Sequence, residues 1–371
     1  MAKKEKMKYY TLDRILSFKC LYNLIYGERS NGKTFAVHKY MLKNYIEKGE
    51  QSALLRRWEK DFTGRLGEST FDGVVNAGIV RKLTKEKWTG IKYYAGRWYL
   101  ARFDDKLNKV VTSEEPFCYA FALTGGEHYK STSYSRVTTI LFDEFLTRES
   151  YLPKEFVKFQ NILCTIIRQR DDVTIFMLGN TVNKYCPYFE EMGIRDHIGK
   201  MKGGDIEIVS YGDSGLTMAI EYTLPTEKGK LSDKYFAFNN PQLQMITKGV
   251  WEMAMYPHLP YDYKRSDVQL DYFIKFDGEL LHCEIIYLED VGKFTYIHRK
   301  TSPIKRDTDI VFSVDFSPSP YRFRKITRPK SYIEKTIAWY YANDRIFYQS
   351  NEVGEIIRNY LKWCKSDDGL A

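Results

Sequence analysis

The sequence has no long hydrophobic run, and no stretch approaches the ~18 uncharged apolar residues of a membrane-spanning helix. The first residues, Met1 to Lys6, lack the apolar region of a signal peptide, so we expect no secretory leader. The six cysteines show no Cys-x-x-Cys spacing and the six histidines are scattered. This pattern predicts free thiols in a reducing compartment and no zinc site.

Aromatic residues and positive charge are abundant instead. The chain of 371 residues contains 30 tyrosines, 22 phenylalanines and a net charge of +9. Residues 261–371 hold 18 basic and 17 acidic side chains, so the excess charge lies in the first 260 residues. The length indicates two domains, or one large domain with an appendage. The charge permits contact with a polyanion such as DNA, and the aromatic residues indicate packed cores, with stacking on bases as the alternative.

One segment matches the phosphate-loop pattern Gly-x-x-x-x-Gly-Lys-Ser/Thr. An apolar run at Leu21–Tyr26 precedes it, and a helix-compatible run at Phe35–Tyr45 follows. In such loops backbone amides surround the phosphates, the lysine reaches the β- and γ-phosphates, and the hydroxyl binds Mg²⁺. The sequence therefore predicts a site for ATP and Mg²⁺ in a segment made of Gly27, Glu28, Arg29, Ser30, Asn31, Gly32, Lys33 and Thr34.

Two further apolar runs end in polar residues that suit the same site. Val137–Phe142 is followed by Asp143 and Glu144. We expect this strand to lie next to the loop strand, with Asp143 near Mg²⁺ and Glu144 activating the attacking water. Val173–Leu178 leads to Asn180, a candidate contact for the γ-phosphate or the water; the alternative is that Asn180 satisfies a turn.

Several basic residues are candidates for stabilising the charge that develops in phosphoryl transfer. Arg168 and Arg170 could project into a neighbouring subunit's site, or they could pair with the adjacent Asp171-Asp172. Lys130 is a weaker candidate for the same role, and Arg29 is a candidate phosphate sensor within the loop. The Arg56-Arg57 pair, at the end of a predicted strand, could face DNA, a neighbour or solvent.

Taken together, these motifs resemble the DNA-packaging ATPases (DNA encapsidation proteins) of small tailed phages of the phi-29 type, relatives of terminase large subunits. The resemblance covers about the first 200 residues. It is carried by the order and spacing of four segments: the loop, Asp143-Glu144, Leu178-Gly179-Asn180 with Asn183, and Pro187-Tyr188-Phe189.

The resemblance implies an α/β P-loop ATPase domain of the additional-strand, catalytic-glutamate type. It also implies a homo-oligomeric, pentameric ring that docks on the portal vertex of a procapsid in the host cytoplasm and pumps double-stranded DNA at the expense of ATP. A packaging RNA can sit between such a motor and the capsid. The family's catalytic glutamate maps onto Glu144, and its trans arginine onto Arg168 or Arg170.

We divide the chain into an ATPase domain at 1–225, a linker element at 226–262 and a C-terminal domain at 263–371. The predicted β-β-β, β, α, β, α order of the last part resembles an α+β ribonuclease-H-like nuclease, with Asp277 and Asp315 at strand ends. Two-metal cleavage needs more carboxylates than these two, which favours a vestigial fold kept for docking. The alternatives to a packaging translocase are a terminase-type motor with an active nuclease and a nucleotide-binding ring component that does not hydrolyse ATP.

Overall fold

The computed structural model describes residues 9–29, 31–129, 132–147, 151–152, 154–180, 186–224, 256–276 and 278–365. The chain forms two compact units, residues 1–252 and 253–371. Most of the predicted linker at 226–262 lies outside the described residues, as do Ser30, Lys130, Asn183 and Asp277. The domain bounds read from the sequence stay a prediction.

The first unit alternates strands with helices. Its strands are β1 Tyr22–Gly27, β2 Gln51–Arg56, β3 Gly90–Tyr94, β4 Arg97–Asp104, β5 Lys109–Thr112, β6 Cys118–Ala122, β7 Val137–Asp143, β8 Thr174–Asn180, β9 Ile206–Ser210 and β10 Thr217–Tyr222. Its helices are α1 Asp13–Leu16, α2 Lys33–Lys48, α3 Gly64–Ser69, α4 Asp72–Asn76, α5 Ile79–Leu83, α6 Glu155–Ile167, α7 Pro187–Glu191 and α8 Arg195–Lys200.

These strands form one ten-stranded sheet with the order β3-β4-β6-β2-β7-β8-β1-β10-β9, and β5 pairs with β4. The six strands from β6 to β10 in this order are parallel. The expectation that β7 lies next to β1 is wrong, because β8 lies between them and pairs with both. An added strand at this place is the arrangement that the additional-strand type implies.

Helices cover both faces of this sheet, so its central strands are buried on both sides and read as continuous apolar runs. Along β1, Leu24 and Tyr26 face the core beneath α6, α7 and α8, whereas Ile25 faces the core beneath α2. The α/β class is therefore confirmed. Helices α3 to α5 were not predicted, because residues 58–130 read as short strands and turns. None of the helices in the described residues is long and apolar enough to cross a membrane.

The second unit has its own six-stranded sheet. Its strands are β11 Val268–Phe276, β12 Glu279–Leu288, β13 Gly292–Arg299, β14 Ile310–Ser313, β15 Arg322–Phe323 and β16 Ile346–Tyr348, and its helices are α9 Tyr332–Ala342 and α10 Asn351–Lys365. The strand order is β15-β14-β11-β12-β13-β16. The predicted sequence of strands and helices is present, with the two-residue β15 added. Helix α10 packs on β13 and β16.

Candidate nucleotide-binding site

The carboxyl ends of four neighbouring parallel strands meet at one edge of the first sheet. Gly27 ends β1 and lies opposite Asn180, which ends β8. Asp143 ends β7, and Arg56 ends β2. In open α/β sheets, ligands bind outside this edge, and the sheet thus brings the predicted loop, acidic pair and Asn180 to one place.

The two glycines of the loop have backbone conformations that other residues rarely adopt. Gly27 has φ of +150° and Gly32, which precedes α2, has φ of +95°. A Cβ atom on Gly27 would also lie 2.1 Å from Oγ1 of Thr223. Both glycines are therefore required by the course of the backbone as it turns from β1 into α2.

The side chain of Asn31 ties the loop to the neighbouring strand β10. Asn31 is buried, and its Nδ2 donates a hydrogen bond of 2.8 Å to Oγ1 of Thr223, just after β10. Its Oδ1 accepts from the backbone N–H of Lys33 at 3.3 Å. The backbone N–H of Tyr10 donates to the Asn31 carbonyl at 3.0 Å. The loop is thus held from two sides by groups far away in sequence.

The side chain of Lys33 is buried and folds back onto the loop that precedes α2. Its Nζ donates to the Glu28 carbonyl at 2.6 Å and lies 3.5 Å from Oδ1 of Asn180. Burial lowers the pKa of Lys33 to about 8, although the nearby Asp143 and Glu28 carboxylates oppose this shift. A buried ammonium with a lowered pKa is poorly solvated, which makes an anionic phosphate a favourable partner.

Thr34 and Asp143 place two oxygen donors together. The Thr34 hydroxyl donates to Oδ1 of Asp143 at 3.3 Å, and Asp143 is buried. A hydroxyl beside a carboxylate is the donor chemistry that Mg²⁺ prefers, so these residues fit the ion. On the other side of the carboxylate, Arg56 Nη2 lies 3.0 Å from Oδ2. Arg56 therefore faces the acidic pair, whereas the sequence suggested that it could face DNA, a neighbour or solvent.

Glu144 has an unusual backbone and an open side chain. Its φ is +60°, a left-handed conformation that costs a non-glycine residue about 1–2 kcal/mol. Its side chain is 64% exposed, and Oε2 lies 3.7 Å from Nη1 of Arg56. Strained residues of this kind concentrate at functional sites. The turn points the chain away from β7 directly after Asp143.

Arg57 holds the strained turn in place from within the protein. Its guanidinium donates to the carbonyls of Glu144 at 3.3 Å and Phe145 at 2.8 Å. It also makes two hydrogen bonds of 2.8 Å to the buried Glu155 at the start of α6. The Tyr188 hydroxyl donates to the same carboxylate at 2.9 Å. This buried network, like Thr223, was not foreseen, since the only signal was a pair of arginines at a strand end.

A cavity of about 300 Å³ opens between these strand ends. Its volume falls at the lower end of the range for small-molecule sites. Both basic and acidic residues line it, together with the aromatic Trp58. The cavity is lined by Arg29, Arg56, Arg57, Trp58, Lys60, Asp61, Asp143, Glu144, Leu146, Thr147 and Asn180.

Arg168 and Arg170 lie at the opposite edge of the sheet. Arg170 donates to the Val137 carbonyl at 2.7 Å and pairs with Asp172 at 3.3 Å. Arg168 donates to the Thr132 carbonyl at 3.2 Å. Because Val137 begins β7 and Asp143 ends it, these arginines are about 20 Å from the site within one chain. The expected pairing with an adjacent aspartate is observed for Arg170, and a role in a neighbouring subunit stays a prediction.

Of the two candidate nuclease carboxylates, the structure describes Asp315, and Asp277 lies outside the described residues. Asp315 follows β14, is 71% exposed and lies 3.8 Å from Nζ of Lys275. Among the described residues, it belongs to no group of three side chains that could hold a metal ion. A vestigial nuclease stays a prediction.

A parallel sheet with a phosphate loop after its first strand and an acidic pair after the strand two positions away is the fold of P-loop ATPase domains. The family described as Podovirus DNA encapsidation protein (Gp16) matches residues 4–76 and 93–203. The chain belongs to this family, as the motifs predicted.

Individual relatives agree with this placement. The DNA packaging protein of Bacillus phage B103 is 28% identical over 189 residues, 50% of this chain and 52% of that protein. The DNA packaging protein of Bacillus phage phi29 is 27% identical over 188 residues, 50% of each chain. This chain thus spans about half the length of the curated relatives it matches. The structure of the Phi-28 gp11 DNA packaging motor has a TM-score of 0.55 at 19% identity, covering 96% of this chain and 98% of that one, a likeness of fold.

Proposed function

We propose that this protein is an ATP-driven translocase that packages double-stranded viral DNA into a preformed capsid. The observation that carries the proposal is the meeting of Lys33, Thr34, Asp143, Glu144 and Asn180 at one sheet edge. The family and the packaging proteins among the relatives support DNA packaging as the function, and the side chains at this sheet edge support ATP hydrolysis as the reaction.

In this proposal the loop and Lys33 bind the phosphates of ATP. Thr34 and Asp143 hold Mg²⁺, which neutralises charge on the phosphates when it is bound. Glu144 accepts a proton from the attacking water and orients it. Its exposed carboxylate suits this task better than the buried Asp143, because Glu144 can reach a water molecule. Asn180, beside Lys33, contacts the γ-phosphate and senses its loss through β8.

Arg56 adds a charge to this scheme that the sequence did not assign. Its guanidinium lies 3.0 Å from the carboxylate of Asp143 and 3.7 Å from that of Glu144. A phosphate group entering the cavity would offer Arg56 a bidentate partner in place of the single contacts that it makes with two carboxylates. We infer that Arg56 moves between the acidic pair and the phosphate during turnover.

The test is ATP hydrolysis by the wild-type protein and Glu144→Gln, with and without double-stranded DNA. Loss of a general base costs about 10²–10⁴-fold in rate, so we expect DNA-stimulated turnover that nearly vanishes in Glu144→Gln while nucleotide binding persists. The matched control is Glu47→Gln, which removes the same charge from an exposed pair with Lys43 on α2. Nucleotide binding without turnover under any condition would favour the non-hydrolysing ring component.

The partners follow from the same proposal. They are DNA, further copies of this chain in a pentameric ring, the portal of the procapsid and a packaging RNA, with the motor docked transiently in the host cytoplasm. In such a ring Arg168 or Arg170 would complete the site of the next subunit. The excess positive charge of the first 260 residues suits a surface that faces DNA.

Mixing two inactive variants tests the trans arginine. Arg168→Ala or Arg170→Ala lacks the arginine, and Glu144→Gln lacks the base. If the arginine acts between subunits, mixed rings contain some sites with both groups intact, and ATPase activity partly returns. Mixtures that stay as inactive as the separate variants would contradict the trans role. Lys43→Ala, which removes an exposed cation on α2, serves as the control.

A further inference from the structure

A cluster of side chains that could bind a metal ion lies on the sheet of the second unit. His282 and Glu284 are on β12, and His298 is on the neighbouring β13. One ligand atom of each lies within 4.8 Å of those of the others. We propose that this His282–Glu284–His298 cluster binds one divalent transition-metal ion, with Zn²⁺ as the best match.

The sheet brings these side chains together. His282 lies directly opposite His298 in the β12–β13 register. Residues two apart on a strand share a face, so His282 and Glu284 point the same way. Cys283, between them, is fully buried on the other face of the sheet. The two imidazole rings are 4.8 Å apart, centroid to centroid.

The two ring nitrogens of His298 face two different oxygen atoms. Its Nδ1 lies 3.2 Å from the carbonyl oxygen of Arg299, and its Nε2 lies 3.2 Å from Oε2 of Glu284. Metal-bound histidines usually donate the N–H of one ring nitrogen to a carbonyl or carboxylate and bind the metal through the other. An ion between Nε2 and Oε2 would leave Nδ1 facing the Arg299 carbonyl, which is the arrangement that such histidines use.

Supporting groups surround the cluster in the manner of a second coordination shell. Nε2 of His282 lies 2.8 Å from Oδ1 of Asp271 on β11. Arg265 pairs with Asp271 and also lies 3.1 Å from Oε1 of Glu284. The Tyr263 hydroxyl donates to Oε2 of Glu284 at 2.6 Å. These contacts fix the carboxylates and the rings before a metal arrives, which lowers the cost of binding.

Charge and access also favour a cation. With neutral histidines, the two carboxylates outweigh the single guanidinium of Arg265, which leaves one net negative charge. Glu284 is 7% exposed, whereas His282 and His298 are 20% and 25% exposed. The ligands are thus shielded but reachable from solvent. Two imidazoles and a carboxylate form a ligand set that suits Zn²⁺.

The experiment titrates the full-length protein with Zn²⁺ by calorimetry and with Co²⁺ by absorption spectroscopy. We expect one ion per chain and weak Co²⁺ ligand-field bands without an intense thiolate-to-metal band in the near ultraviolet. His282→Gln and His298→Gln each weaken Zn²⁺ binding at least tenfold, and Asp271→Asn weakens it about tenfold through its effect on His282.

The control is His197→Gln, which breaks another histidine–carboxylate contact, the 2.6 Å pair of His197 with Glu207. It should bind Zn²⁺ as the wild type does. The proposal fails if the wild type binds no Zn²⁺. It also fails if a thiolate band appears, or if the two glutamine variants match the wild type. The ATPase assay is independent of all these outcomes.

Discussion

The two sheets of this protein treat their strand ends differently. In the first sheet, β1, β8, β7 and β2 are neighbouring parallel strands. The ends of β8, β7 and β2 place Asn180, Asp143 and Arg56 around one cavity, and Nζ of Lys33 lies 3.5 Å from Oδ1 of Asn180. In the second, the parallel neighbours β15, β14 and β11 are followed by the antiparallel pairs β11–β12 and β12–β13, and Asp315 after β14 is exposed beside Lys275. The first sheet therefore brings four strand ends with polar side chains to one place, whereas the second brings together three, one of which belongs to the two-residue β15.

A second contrast concerns charge. In the first sheet the acidic turn is backed by the buried Arg57–Glu155 pair, whereas the Lys275–Asp315 pair lies in solvent. Removing one partner of a buried ion pair lowers the stability of the folded protein by about 3–5 kcal/mol. An exposed ion pair contributes only about 0–1 kcal/mol to stability. This difference can be tested directly at each place.

The largest effect is expected at Arg57. Arg57→Met leaves the Glu155 carboxylate buried without its partner and should lower the free energy of unfolding by about 3–5 kcal/mol. Urea unfolding measures this change. The double variant Arg57→Met/Glu155→Gln should recover part of it, because no charge is then left unpaired. Lys43→Met, which removes a cation from the surface pair with Glu47, is the control. If Arg57→Met and Lys43→Met lower the free energy of unfolding equally, the buried Arg57–Glu155 pair does not stabilise the fold more than an exposed pair does.

An intermediate effect is expected from pH at Lys33. The pKa of about 8 means that the ammonium is charged below pH 8 and increasingly neutral above it. Affinity for a non-hydrolysable ATP analogue should thus be highest below that pH and fall by up to about tenfold for each further pH unit. Fluorescence titration between about pH 7 and pH 10 measures it.

Lys33→Arg provides the comparison, since its guanidinium stays charged throughout this range. Its affinity, whatever its absolute value, should change little with pH. A wild-type affinity that is equally flat would show that Lys33 does not titrate in the free protein.

The smallest effect is expected at Asp315. Asp315→Asn should change the free energy of unfolding by no more than about 0.5 kcal/mol, as exposed substitutions usually do. Linear double-stranded DNA incubated with Mg²⁺ or Mn²⁺ should stay intact with both the wild type and the variant. Cutting by the wild type that is lost in Asp315→Asn would restore the active-nuclease alternative and erase the contrast between the two sheets.

Sequence patterns located the central strands β1, β2, β7 and β8 well because these strands are buried on both faces. The loop at 27–34 and the acidic end of β7 could be read directly from residue types. The position of β8 between β1 and β7 could not, because pairing partners are chosen by packing across the sheet and leave no local mark. For the same reason, β7 was wrongly expected beside β1.

Partners that come from distant segments were equally hidden. Arg57 reaches Glu155 and Thr223 reaches Asn31 only after the sheet has formed. His282 and His298 show no metal-binding spacing, because they meet across two strands. A role in a neighbouring subunit, such as the one predicted for Arg168, is harder still to predict from one sequence, because it depends on how the subunits assemble.

The place of β8 also sets a width. Two strand-to-strand steps of about 4.8 Å separate the backbones of β1 and β7 by roughly 10 Å, whereas direct neighbours would be about 5 Å apart. Backbone hydrogen bonds fix this distance, so side-chain substitutions alter it little. The side chains of Thr34 and Asp143 reach across the gap to within 3.3 Å of one another. The strand β8 thus acts as a spacer that sets the distance between the end of β1 and the end of β7.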